Sequence, residues 1–131
     1  LNSELINKKK IFETIDLKKY KKQSSVKSEI IFNETCSDEM KIEIDLSGKN
    51  LLIKHLESNS CSIAEFGASV IINNIHNTKI DDVRKEIFLY KEAIEGHDNK
   101  YSLEFPFLKD LRLRKNCLLM FANYIERKIN E

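Results

Sequence analysis

The sequence predicts a small α+β domain in which a short antiparallel sheet precedes a set of helices. Two observations carry that reading. Lys41-Ile42-Glu43-Ile44-Asp45-Leu46 alternates strictly, the mark of a half-buried strand with Ile42, Ile44 and Leu46 inward. At Cys61 the period changes: Ile63, Phe66, Gly67, Val70, Ile71 and Ile75 recur at three- and four-residue spacing, which places a helix from about Ser62 onward.

Taken in order, residues 1–26 read as a basic N-terminal helix and linker. Leu5, Ile11, Phe12, Ile15 and Leu17 are interleaved with Lys8, Lys9, Lys10, Lys18, Lys19, Lys21 and Lys22, a modestly amphipathic helix with a basic outer face. A solvated face is favoured over a nucleic-acid arm, because exposed aromatics are not interleaved with the lysines. Gln23, Ser24 and Ser25 form the linker. Residues 27–131 form the second unit. Glu29-Ile30-Ile31-Phe32 is a short strand running into the Cys36 loop. The alternating strand, the turn Ser47-Gly48-Lys49-Asn50 and Leu52-Ile53-Lys54-His55-Leu56 make a hairpin whose charged outer face implies a sheet covered on one side. Thr78 is the expected N-cap of a second helix that buries Ile80, Val83, Ile87 and Ile94. Leu108 to Leu111 is a helical turn, and a last helix runs from about Lys115 to Ile129 with Leu118, Phe121, Ile125 and Ile129 as its stripe.

Composition narrows the function. A chain of 131 residues is long enough to bury a core without disulfides. The 22 Lys and Arg against 21 Asp and Glu leave a formal charge of +1, so no whole-chain field points to nucleic acid or an anionic membrane. No apolar run reaches the ~20 residues that span a bilayer, and no secretory pattern opens the chain, so a soluble cytoplasmic protein is expected. The three cysteines leave one thiol over in any intrachain pairing, which suits a reducing compartment.

Cys36, Cys61 and Cys117, with Asp38 two positions from the first, make three thiolates and one carboxylate. That is the number of ligands a tetrahedral zinc site or one corner of an iron–sulfur cluster requires. The alternative is that all three are small buried hydrophobes. Cys61 and Cys117 each open a predicted helix, where the positive end of the dipole favours a thiolate. His55 lies mid-strand and His76 and His97 lie in polar turns, so all three read as non-ligands. No Gly-rich phosphate loop, Ser-His-Asp arrangement or His-Glu-x-x-His helix is present, so hydrolytic and nucleotide-driven chemistry lack support.

Four landmarks carry a more specific resemblance. Cys61-Ser62-Ile63-Ala64-Glu65-Phe66-Gly67-Ala68-Ser69 is similar to a Gly-Cys-x-Ile-x-x-x-Ala-Ser segment, and Thr78-Lys79-Ile80-Asp81-Asp82-Val83 to a Gly-Lys-Thr-Ile-Glu-Glu-Ala helix start. Asn33-Glu34-Thr35-Cys36-Ser37-Asp38 resembles Asn-Pro-x-Cys-Gly-Asp, and Arg114-Lys115-Asn116-Cys117 resembles Arg-x-Lys-Cys. These are the landmarks, in order, of the NifU/IscU/SufU-like iron–sulfur cluster assembly family. The long interval from Cys61 to Cys117, and Asn116 where the IscU branch carries histidine, point to the SufU-like branch.

The resemblance implies a three-stranded antiparallel sheet with helices packed on one face. It implies Cys36, Asp38, Cys61 and Cys117 as ligands of a zinc ion or of a transient iron–sulfur cluster. It further implies Cys36 as the acceptor of persulfide sulfur from a cysteine desulfurase, with Arg114 steadying the released thiolate and Cys117 as the IscU-like alternative. Apo iron–sulfur proteins would be the recipients. The competing reading is a non-catalytic interaction module of the same fold with a structural zinc or no metal. Ser37 and Ser60 stand where the family has glycine, so strain at positive φ is expected there.

Overall fold

A computed structural model describes residues 3–21, 27–33 and 36–131, with side chains from residue 7 onward. Lys22, the expected linker Gln23, Ser24 and Ser25, the landmark residues Glu34 and Thr35, and the side chain of Leu5 lie outside the described residues. The elements are α1 (Ser3–Thr14), a 3-10 turn (Lys18–Tyr20), β1 (Glu29–Phe32), β2 (Glu39–Asp45), β3 (Asn50–Asn59), α2 (Ser62–Ile75), β4 (Thr78–Lys79), α3 (Ile80–Ile94), α4 (Lys100–Glu104), a longer 3-10 segment (Leu108–Arg114), α5 (Lys115–Leu118) and α6 (Met120–Ile129).

The α+β class holds, but the sheet has four strands in the order β1-β2-β3-β4 rather than the three expected, and every pairing is antiparallel. The added strand is two residues long, too short for a period-2 signal. Asn77 at φ 58 turns the chain back so that Thr78 and Lys79 pair with Leu51 and Asn50. Thr78 is therefore a strand residue and not the cap of α3, whose N-cap is Lys79 without a side-chain capping bond.

The hairpin contains an irregularity that alternation alone does not reveal. Ile44 pairs with Ile53 and Glu43 with His55, leaving Lys54 as an extra residue in β3. That insertion puts Leu51, Ile53 and Leu56 on one face with Met40 and Ile42, all buried. Ile44 and Leu46 are half-buried at the sheet's end. In the hairpin turn, Asp45 accepts from both the Ser47 amide and hydroxyl, at 2.8 and 2.6 Å.

The core gathers around α2, which buries Ala64, Phe66, Gly67, Ala68, Val70, Ile71, Ile72 and Ile75 and packs against α1, α3, α5 and α6. Ile11, Leu17 and Tyr20 of the N-terminal segment join this core, while Phe12 is exposed. The first helix stops at Thr14 instead of continuing to Lys22, because the chain turns at Asp16, whose amide donates to the Ser69 hydroxyl of α2 at 3.1 Å.

The expected last helix is two pieces. Leu119, at φ −100 and ψ 0, separates α5 from α6. The buried Tyr90 hydroxyl donates to the Leu118 carbonyl at 3.1 Å. A Cβ at Gly67 would fall inside contact distance of that same carbonyl oxygen, so only glycine lets α2 and α5 approach this closely. These two contacts fix the segment that bears Cys117.

Candidate metal centre

The three cysteines and Asp38 converge from three separate parts of the chain. Cys36 and Asp38 lie on the β1–β2 connection, Cys61 ends the β3–α2 connection, and Cys117 lies in α5. The connection is closed by the Asn33 amide donating to the Asp38 carbonyl at 3.1 Å and the Cys36 amide donating to the Asn33 carbonyl at 3.3 Å. Asp38 is buried, and its Oδ1 accepts from the Cys61 amide at 2.7 Å. Its Oδ2 accepts from the Asn33 side-chain amide at 3.1 Å and from the Cys61 thiol at 3.6 Å.

Cys61 is the N-cap of α2, and its sulfur accepts from the Ala64 amide at 3.5 Å. Cys117 faces Cys36 across an Sγ–Sγ distance of 3.5 Å and accepts from Asn33 Nδ2 at 3.4 Å. Arg114 Nη2 reaches both Cys61 Sγ, at 3.7 Å, and Cys117 Sγ, at 3.8 Å. Among the described residues, the only sulfur or nitrogen within hydrogen-bond distance of the Cys36 sulfur is Cys117 Sγ. The guanidinium expected to steady Cys36 therefore contacts the other two sulfurs.

The donor atoms of Cys36, Asp38 and Cys117 lie within 4.8 Å of one another. Cys61 Sγ stands outside that mutual group, yet at 3.6 Å from the Asp38 carboxylate it borders the same space. Ligands about 2.3 Å from a tetrahedral zinc are separated by about 3.8 Å, and the Cys36–Cys117 spacing is close to this. Cys36, Asp38 and Cys117 thus fit a zinc ion or a cluster iron by chemistry and spacing, and Cys61 borders them as a third sulfur. Cys117 is 2% exposed, and burial above all, reinforced by the neighbouring thiols, pushes its thiol up to about 12 against the pull of Arg114. The thiolate expected from a helix start is not found there. The Lys115 amide is already bonded to the Arg112 carbonyl of the preceding 3-10 segment, so α5 offers no free helix N-terminus.

Ser37 and Ser60 carry none of the expected strain: Asn77 is the only positive-φ non-glycine among the described residues. Ser60 has a role of its own, its hydroxyl donating to the Glu39 carbonyl at 3.0 Å. The histidines stand apart from the cluster, as expected. His76 Nδ1 accepts from the Ile53 amide at 3.0 Å, His97 pairs with Glu92, and His55 is buried with Nε2 3.6 Å from Glu57. Asn33 opens the landmark that carries Cys36 and Asp38, but motif reading gave it no role in the site. Its signal is positional, as an amide side chain at the exit of a strand five residues before a carboxylate ligand.

No family model and no curated protein matches this chain. Solved structures do. A crystal structure of a hypothetical protein superposes with a TM-score of 0.76 at 15% identity, covering 95% of this chain and 99% of its own. A candidate iron–sulfur cluster assembly scaffold protein for the SUF system, FiSufU from the thermophile Fervidobacterium islandicum AW-1, superposes with a TM-score of 0.76 at 20% identity, covering 95% of this chain and 97% of its own. Among the described residues, no helix is long and apolar enough to cross a membrane. At these identities the likeness is one of fold: the chain shares the fold of these two structures.

Proposed function

We propose that this chain is an iron–sulfur cluster assembly protein of the SufU-like type, a metal-binding sulfur acceptor or scaffold supplied by a cysteine desulfurase. The observation that carries the proposal is the convergence of Cys36, Asp38, Cys61 and Cys117, with Arg114 against two of the sulfurs, on a fold shared with a candidate SUF scaffold. Residues 27–131 carry the site, and Ile11, Leu17 and Tyr20 of the N-terminal segment pack into the core beside α2. The four side chains would hold zinc as the resident ion, which keeps the thiols deprotonated at neutral pH. A cluster assembled there is cargo for apo iron–sulfur proteins in the cytoplasm.

The ligands are not held alike, and the difference supports Cys36 as the acceptor. Cys61 is fixed by a helix amide, Cys117 by Asn33 and Arg114, and Asp38 by a backbone amide and an amide side chain. Cys36, half-exposed on its loop, has no such donor among the described residues. Its thiolate attacks the outer sulfur of the desulfurase persulfide. The donor's S–S bond breaks, the desulfurase cysteine leaves as a thiolate, and Cys36 carries the sulfur as a new persulfide. Arg114 meanwhile holds the Cys61 and Cys117 sulfurs.

The burial of Cys117 and its raised pKa favour a second reading, in which the cysteines serve packing or a structural zinc in a non-catalytic interaction module. Desulfurase turnover with cysteine as substrate separates the two. The wild-type chain accelerates alanine release, and Cys36→Ser abolishes both the acceleration and the persulfide adduct seen by mass spectrometry, with the fold intact by circular dichroism. Undiminished acceleration by Cys36→Ser overturns the acceptor assignment, and no acceleration by the wild type favours the interaction module.

A further inference from the structure

We propose that Asn33 is the positioning residue of the centre, the donor that, among the described residues, bridges Asp38 and Cys117. The role rests on the metal-site reading above and extends it to a residue that is not itself a ligand. Asn33 engages the site through three groups and four contacts. Its backbone amide and carbonyl close the loop onto Asp38 and Cys36, at 3.1 and 3.3 Å. Its side-chain amide donates to Asp38 Oδ2 at 3.1 Å and to Cys117 Sγ at 3.4 Å. Those two acceptors are 79 positions apart in the sequence and belong to different layers of the fold, the sheet and the helices.

The chemistry favours an amide at this position. An amide side chain carries two N–H groups and can donate to a carboxylate oxygen and a sulfur at once, which fixes their separation. Asp38 Oδ1 is occupied by the Cys61 amide, and Asn33 makes the shorter of the two contacts to Oδ2, 3.1 Å against 3.6 Å from the Cys61 thiol. A donor behind a ligand orients it and tunes its basicity, and losing one typically weakens metal binding by about 10- to 100-fold.

The isosteric replacement Asn33→Asp separates donation from shape. It keeps the size and backbone of asparagine but presents an acceptor to Asp38 and Cys117, whereas Asn33→Ala simply removes the donor. Zinc affinity of the full chain is measured by chelator competition at neutral pH, with circular dichroism as the folding control. Asn33→Ala is expected to bind about 10- to 100-fold more weakly than wild type, and Asn33→Asp at least as weakly as Asn33→Ala. Wild-type affinity in either variant overturns the proposal, and if Asn33→Ala does not fold, Asn33→Asp decides alone.

A second readout does not depend on metal. In the metal-free wild type, the side-chain amide protons of Asn33 are expected to exchange with solvent more slowly than those of the exposed Asn73. Equal exchange overturns the proposal. Because this measurement needs no zinc, a chain that failed to bind zinc would remove the metal reading while the placement of Asn33 was still decided.

Discussion

Cys61 stands where a 14-residue helix begins, its sulfur facing the Ala64 amide, while Cys117 stands inside a run of short helical pieces with no free helix N-terminus ahead of it. Cys61 is half-exposed. Cys117 is buried, and its thiol is pushed up to about 12. The same residue type, in what looks like the same helix-start position, thus meets opposite surroundings. What differs first is burial, which closes the Cys117 sulfur off from water while Cys61 stays partly open at the start of α2. Cys61 is held by its own helix, whereas Cys117 is held by its neighbours Asn33, Arg114 and, through Leu118, Tyr90 and Gly67.

The largest effect on this contrast is expected from Gly67→Ala. The new methyl collides with backbone at Leu118, which has no rotamer through which to yield, so a loss of about 3 kcal/mol in urea unfolding is expected, with Cys117 driven away from Cys61. Near-wild-type stability would mean that the two helices do not cross as closely as described.

Tyr90→Phe acts on the Cys117 side alone. It leaves the buried Leu118 carbonyl without the tyrosine donor and should cost about 1–2 kcal/mol. Amide resonances around Cys117 should shift while that of Ala64 stays in place. Shifts of equal size at both cysteines would show that the two walls of the site are not independently supported.

The smallest effect lies where the two supports are tied together. Glu29 of β1, the strand leading into the Cys36 loop, accepts from Tyr124 of α6 at 3.1 Å and pairs with Lys128 at 2.8 Å. The Lys128 hydrogen bond, foremost, holds the Glu29 carboxyl below its ordinary value of 4.5. A depressed carboxylate pKa contributes stability above the unfolded value and loses it as pH falls through the folded one. Glu29→Gln should therefore cost about 0.5 kcal/mol at pH 7, the range of a partly exposed pair. That difference from wild type should fade below pH 4.5. A difference that persisted in acid would show that the contact is not ionic.

Legibility in the sequence followed the length of the signal. The hairpin and α2 could be read because Ile42, Ile44, Phe66, Val70 and Ile75 repeat over enough residues to fix a period. β4 could not be read, since two residues carry no period, and the Lys54 insertion was hidden because a bulge leaves composition unchanged. The stripe Leu118, Phe121, Ile125 suggested one continuous helix, but periodicity is blind to a break that keeps the same face buried. Of the candidate site, the four ligand-type residues and Arg114 were legible by type and motif. Asn33 was legible as the first residue of its landmark, but its role was not, because that role is a contact made across the fold to Cys117.

The most direct test is the metal content and X-ray absorption of the chain purified without added metal. About one zinc per chain is predicted, with three sulfur neighbours near 2.3 Å and one lighter ligand near 2.0 Å, and with protected thiols. A metal-free chain whose three cysteines all react freely with a thiol reagent would contradict the assignment of Cys36, Asp38, Cys61 and Cys117 to a single metal centre.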